Sequence, residues 1–320
     1  MDEHNWAWTR YWRFDRIASC MGGPGLGNYD EVIASGWREF FSSLPHRARV
    51  LDLCTGNGAI PLIALEVSRH LGTSLSITGV DKADIDPQRY AGNARVELEQ
   101  VTFLGNVRAE QLPLPKNSYD AVVSQYGFEY TDMPSSTAEV VRVLKGGGRV
   151  RLLTHAAEGI VAERARAALR DAEFLLSDVD LPGAAARCLE AVVQPTQSAA
   201  AHESVRIFET ALAGTATYLH TAADQAMLLS SASVLVDTYN KRSRFDLETL
   251  LGKVAEVRTE ILAHKSRLMA LLESALDADR LKQIAGELEA AGLCRVRCRT
   301  VAKESDVIGY VIEARSGDPK

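Results

Sequence analysis

No stretch of the 320-residue chain approaches the ~20 consecutive apolar residues that a bilayer-spanning helix needs. Its start, Met1-Asp2-Glu3, lacks the basic and then apolar layout of a secretory leader, so the chain is expected to be cytoplasmic and off the membrane. Positive charge is in short supply: 36 Lys and Arg face 42 Asp and Glu, a formal net charge of -6. That balance offers no global attraction to phosphate backbones or anionic lipid, and no nucleic-acid partner is expected. Cysteine is sparse and odd in number (Cys20, Cys54, Cys188, Cys294, Cys298), which fits reduced thiols better than a disulfide framework. Cys294 and Cys298, four apart in a strand-like run, would share one face at a separation of about 13 Å, so no zinc site is expected. Low-complexity tracts and internal repeats are also missing.

What is present is an ordinary globular composition, 46% apolar and 24% charged, in a chain longer than a minimal domain of roughly 100 to 200 residues. Short β-branched runs at Val50 to Cys54, Leu75 to Asp81, Val101 to Leu104, Tyr119 to Ser124 and Gly148 to Thr154 alternate with helical or loop segments. That rhythm predicts βαβ units and a parallel sheet. Beyond Thr154 strand signals vanish for about 120 residues and helical periodicity takes over, with Gln194 to Ala201 reading as a loop. Two strand-like runs, Cys294 to Val301 and Asp306 to Ala314, then return. The sheet is therefore predicted to be interrupted by a helical insertion and completed after it. Within the insertion Leu247, Leu250, Val254, Val257, Ile261, His264, Leu268 and Leu271 follow 3,4 spacing, the seam of one long helix.

The strongest local signal is Val50-Leu51-Asp52-Leu53-Cys54-Thr55-Gly56-Asn57-Gly58-Ala59, a strand ending in a glycine turn ahead of a helix. Glycines there let backbone N–H groups approach a ligand without Cβ obstruction. A second acid, Asp81, closes the next strand, where a carboxylate can accept bonds from both ribose hydroxyls of a nucleoside. S-adenosylmethionine (SAM) and NAD both satisfy this much. The Gly-x-Gly-x-x-Gly of NAD enzymes is absent, because Pro61 stands three residues after Gly58.

The later motifs separate the two. Ala109-Glu110-Gln111-Leu112-Pro113, Ser118-Tyr119-Asp120-Ala121-Val122-Val123-Ser124 and Arg142-Val143-Leu144-Lys145-Gly146-Gly147-Gly148 follow the glycine turn in order. With them the chain resembles the class I SAM-dependent methyltransferase family over Arg49 to Thr154, and again over Leu281 to Ala314. Cys54 replaces the first glycine of the family's opening motif, a change that negative φ would tolerate. The resemblance implies an α/β fold: a seven-stranded Rossmann-like methyltransferase sheet with a large α-helical insertion between strands five and six. It divides the chain into an N-terminal helical cap (1–48), a SAM-binding core (49–154), the insertion (155–278) and a closing helix and strand pair (279–320).

Carried over by position, the resemblance implies that Asp52, Cys54, Thr55, Gly56, Asn57 and Gly58 hold the amino-acid end of SAM. Asp81 and Lys82 would hold the ribose, Glu110 and Gln111 the adenine, and Ser124 and Gln125 the methionine end. S-adenosylhomocysteine (SAH) would be the product. Methyl transfer from a sulfonium needs positioning and, for a protonated acceptor, a base. Tyr126, Glu129, Tyr130 and His155 lie where strands four and five end, the ligand-binding end of an open α/β sheet, and His155 is the best base. Trp12, Tyr126, Tyr130, His155, Tyr218 and His220 are the residues expected against a small-molecule acceptor. Trp6, Trp8, Tyr11, Trp12 and Phe14 would cap the site, and Met21 to Tyr29 would gate it. The insertion is expected to form a lid over the strand ends, with homodimerisation as its rival role. An RNA or protein methyltransferase and a non-catalytic binding module are the alternative readings.

Overall fold

The computed structural model describes residues 5–14, 16–20, 27–193 and 199–317; most of the glycine-rich segment, residues 21–26, and residues 194–198 of the expected loop lie outside these. Seven strands, β1 (Arg49–Leu53), β2 (Ser76–Val80), β3 (Thr102–Leu104), β4 (Tyr119–Gln125), β5 (Leu144–Thr154), β6 (Leu293–Lys303) and β7 (Asp306–Ser316), form one sheet. Their order is β3-β2-β1-β4-β5-β7-β6. The first five are parallel, and β7 runs antiparallel to both β5 and β6. The strands β1 and β4 are buried nearly throughout, which is why they read as continuous apolar runs rather than alternating ones.

The helices are α1 (Asn5–Trp12), α2 (Glu31–Ser42), α3 (Ala59–Leu71), α4 (Pro87–Tyr90), α5 (Arg95–Leu98), α6 (Met133–Val143), α7 (Ile160–Glu173), α8 (Leu181–Val192), α9 (Ala199–Tyr218), α10 (Gln225–Asn240), α11 (Leu247–Ser274) and α12 (Ala278–Ala290). Local chemistry sets many of their ends. Asp30, Asp132 and Asp277 cap α2, α6 and α12 by accepting bonds from Ile33, Ser135 and Arg280 backbone N–H groups. Gly72, left-handed at φ +65°, ends α3.

The chain divides into two compact units, 1–162 with 270–320, and 163–269. The first holds the sheet. Its core joins β4 and β5 (Tyr119, Val122, Leu152) to α6 (Val140, Val143) and α12 (Ile284, Leu288), each fully buried aliphatic contributing about 1.5–3 kcal/mol. A second set of buried aromatics lies on α2, where Trp37 stacks on Phe41 and the Arg151 guanidinium covers the Trp37 ring at 5.1 Å. The excursion between β5 and β6 leaves and returns at one place: Leu276 N–H donates to the His155 carbonyl and Ala157 N–H to the Leu276 carbonyl.

Among its described residues the second unit holds helices and their connections and no strand. The seam of α11 is spent in its own core, where Leu250, Val254, Val257 and Ile261 are buried with Leu181, Leu189, Phe208 and Leu228. His264 of that seam pairs with Asp224 at 3.2 Å. Two expectations about the strands change. The fifth run is expected from Gly148, but β5 already begins at Leu144, and an irregular register opposite Tyr119 and Ala121 of β4 absorbs the extra residues. Cys294 pairs with Arg315 and Cys298 with Ile312, an odd offset that puts them on opposite faces; the irregularity between Cys294 and Arg297 breaks the strict alternation assumed earlier.

Candidate active site

A cavity of about 350 Å³ opens in the sheet unit where β1, β2 and β4 end. Asp52, Cys54 and Thr55 line it from β1, Asp81 and Lys82 from β2, and Gln125, Tyr126, Glu129 and Tyr130 from β4 and the short turn after it. Trp8 and Trp12 of α1 close one side, and Ala270, Glu273 and Ser274 of the last turn of α11 another. Among the described residues no cluster of metal-binding side chains occurs.

On the β1 wall, Asp52 is 1% exposed and neither carboxylate oxygen has a hydrogen-bond partner. Burial, opposed in part by the neighbouring Thr55 hydroxyl and reinforced by the Asp81 charge, pushes its pKa up to about 8. Asp81 is differently placed: one oxygen accepts from Gly56 N–H and the other from Ala83 N–H, both at 2.8 Å. Burial raises it to about 6 against those two bonds. An orphaned carboxylate beside an anchored one is a good fit to a ligand carrying an ammonium group and a ribose.

The glycine turn acts less directly than its motif implies. Gly56 and Gly58 have φ of +52° and +86°, but a Cβ on Gly56 would meet the Trp12 ring and one on Gly58 would meet Phe103 and Leu98. Gly56, Asn57 and Gly58 do not line the cavity. Asn57 instead ties down the aromatic helix by donating to the Trp12 and Arg16 carbonyls. Cys54 has φ +56°, contrary to the negative φ expected for a residue replacing glycine. Its left-handed backbone is strained for any L side chain, and it persists because Gly127, whose Cβ would collide with that of Cys54, leaves it room.

On the β4 wall, Trp37 Nε1 donates to Gln125 Oε1 at 2.6 Å, which leaves the buried Gln125 Nε2 without a protein partner. Ser124 is turned away, its hydroxyl donating to the Leu53 carbonyl, and it is absent from the lining. Glu129 Oε1 accepts from both the backbone N–H and Nδ1 of His155, at 2.8 and 2.7 Å, with both residues buried. The imidazole stacks on Tyr126 at 4.2 Å and 19°, so His155 sits one layer behind the lining, and its Nε2 faces Cys20 Sγ at 3.7 Å. Burial alone would lower the His155 pKa, but the Cys20 and Glu129 contacts outweigh it and raise the value to about 9. Tyr126 has φ +52°, a second strained residue at the site.

Other expected residues fall outside this arrangement or at its edge. Glu110 lines the cavity while accepting from Asp132 N–H, and Gln111 does not line it. Tyr218 belongs to the helical unit, where its hydroxyl donates to Asp171 at 2.9 Å and its ring stacks on Phe174; His220 is exposed in the same unit. Neither lines the cavity, so their expected contact with an acceptor has no support in the geometry. Sequence reasoning missed Trp37, Gly127 and Cys20, which act on the site through neighbours remote in the chain and carry no motif of their own.

A family model described as a methyltransferase domain matches residues 50–148. The chain is 30% identical over 157 residues to the ubiquinone/menaquinone biosynthesis C-methyltransferase UbiE of Geotalea daltonii, covering 44% of this chain and 60% of that protein. It is 34% identical over 174 residues to an uncharacterized methyltransferase of Mycobacterium tuberculosis, covering 52% and 66%. It is 27% identical over 150 residues to the 2-phytyl-1,4-naphtoquinone methyltransferase of Trichormus variabilis, covering 44% and 62%. The chain thus spans less than two thirds of the length of each of these relatives.

Proposed function

We propose that the chain is a class I SAM-dependent methyltransferase, as its similarity to methyltransferases supports, and that it moves a methyl group from SAM to a small planar acceptor whose proton His155 removes. The observation that carries this reading is the buried His155–Glu129 pair beside a cavity whose other wall presents a carboxylate with no partner. When bound, SAM supplies a methyl group already activated by a positively charged sulfur. The chain's own residues bind, orient and move a proton. Asp52 meets the cationic amino-acid end, Asp81 the ribose, and Gln125 Nε2 donates to a ligand oxygen. Glu129 holds Nδ1 and so leaves Nε2, which faces Cys20 behind the Tyr126 ring, as the nitrogen that takes the acceptor's proton, the orienting role that a buried carboxylate serves for a catalytic histidine.

Aromatic walls from Trp8, Trp12, Tyr126 and Tyr130 favour a flat acceptor, and similarity to two quinone methyltransferases favours a hydroxylated ring or enol. Calorimetry with SAM, SAH and NAD tests the cofactor, with binding of the first two expected. A panel of phenols, quinols, amines, RNA and protein, read by mass spectrometry for methyl addition, tests the acceptor. Binding of NAD in place of SAM overturns the proposal, and methylation of RNA or protein alone overturns the small-molecule acceptor. The helical unit is assigned to acceptor choice, since the excursion that carries it opens and closes within the sheet unit at Ala157 and Leu276, beside His155. Replacing 163–269 by a short linker is expected to spare SAM binding and abolish acceptor methylation; normal methylation by the shortened protein rejects the assignment.

A further inference from the structure

Cys20 has no part in the mechanism above, yet its sulfur stands 3.7 Å from the one ring nitrogen of His155 that Glu129 does not hold. Three segments converge there: the stretch after α1 brings the thiol, the end of β5 the imidazole, and the turn after β4 the carboxylate. The imidazole is confined on its other sides by Tyr126, stacked at 4.2 Å, and Tyr130, edge-on at 5.9 Å. Cys20 itself is half-buried, so solvent reaches it, whereas His155 is 2% exposed. A thiol before an acid-anchored imidazole has the makings of an activated sulfur nucleophile.

We propose that Cys20 is a covalent modification site for small disulfides, and that its occupation closes off the methyl-transfer base. In the reaction the Cys20 sulfur attacks one sulfur of the disulfide. A Cys20–S bond forms, the disulfide S–S bond breaks, and the departing thiolate takes up the proton that Cys20 sheds. Cys20 is oxidised and the disulfide is reduced to one free thiol. The modified sulfur stays opposite Nε2 and blocks the approach of an acceptor. The modification rests on geometry alone; its consequence rests on His155 being the base proposed above.

The chain carries its own controls, because Cys294 and Cys298 are exposed on β6, away from any histidine contact among the described residues. The full chain is treated with glutathione disulfide at neutral pH and each thiol is followed by peptide mass mapping. Cys20 is expected to react about tenfold faster than Cys294 or Cys298 despite its lower exposure. His155→Gln is expected to remove that advantage and leave the two β6 rates unchanged. A Cys20 rate no higher than that of Cys294 in the wild-type protein overturns the site, even where the variant fails to fold. In a C294S/C298S background, treated protein is expected to lose most methyl transfer, retain SAM binding and recover with dithiothreitol; an unchanged rate overturns the capping. The labelling needs neither SAM nor acceptor, so an inert methyltransferase with a fast Cys20 refutes the function and leaves the modification site standing.

Discussion

Asp52, inside β1, and Glu129, in the turn after the neighbouring β4, are buried carboxylates that both line one cavity, but their surroundings are opposite. One Glu129 oxygen is doubly bonded to His155, and neither Asp52 oxygen has a partner. A buried carboxylate without a partner costs stability, so it persists where a ligand supplies the missing charge. Glu129, locked on His155 through one oxygen while the other has no partner, is anchored before any ligand arrives and serves to orient a proton acceptor. The β1 wall is therefore built for binding and the β4 wall for chemistry.

The largest expected effect breaks the β4 wall. His155→Gln should lower methyl transfer by roughly 10²–10⁴, the usual contribution of a general base, with SAM affinity nearly unchanged by calorimetry. A parallel loss of SAM binding would move His155 to the binding wall. Next, Asp52→Ala should weaken SAM by about 1.5–3 kcal/mol, the cost of removing a charged hydrogen-bond partner, while a saturated variant still turns over. An intact affinity would remove Asp52 from the ligand.

Proton linkage sharpens the comparison further. The unfolded Asp52 ionises near the ordinary aspartate value of 3.8 and the folded one near 8, so the folded state holds more protons between these limits. Its burial is tolerated below pH 4 and destabilises increasingly up to pH 8. Asp52→Asn should then raise apo stability by at least about 1 kcal/mol at pH 8 and little at pH 4, as read by denaturant titration. The His155 value is raised from 6.5 to about 9, so its pairing stabilises fully below pH 6.5 and is lost as pH rises through 9. Methyl transfer should rise over that interval as the base is freed, and a flat profile in the wild type would count against His155. The smallest effect is expected from Cys54→Gly, which relieves a left-handed backbone and should stabilise by about 1 kcal/mol in thermal melts. A loss of stability would show that the thiol's packing against Gly127 outweighs the strain.

Much of this site could be read from the chain because strand ends and glycine turns are local events. Asp52 stands within a β-branched run, Asp81 closes one and His155 follows one, so their place near the strands' carboxyl ends came with the periodicity. Glu129 was legible as a candidate but not as the residue that grips His155, because that pairing depends on β4 and β5 lying side by side. Cys54 shows the limit in another way. The motif marked the substitution, but only the backbone geometry revealed positive φ, and only the packing revealed Gly127 as the reason it is accommodated. Tyr218 and His220 looked suited to an acceptor by type, yet a helix's destination is set by which core its apolar face joins.

The sequence by itself determined the parallel sheet, the helical excursion between β5 and β6, and the two acids at the strand ends, since each follows from periodicity and turn chemistry within a few residues. Only the tertiary structure decided which polar groups have partners. The orphaned Asp52, the Trp37-held Gln125, the Glu129–His155 pair and Cys20 before its free nitrogen all depend on side chains from 26 to 135 positions apart meeting in space. Hydrogen bonding is short-ranged and directional, and no one-dimensional pattern encodes distances between segments that meet only when the sheet closes its core.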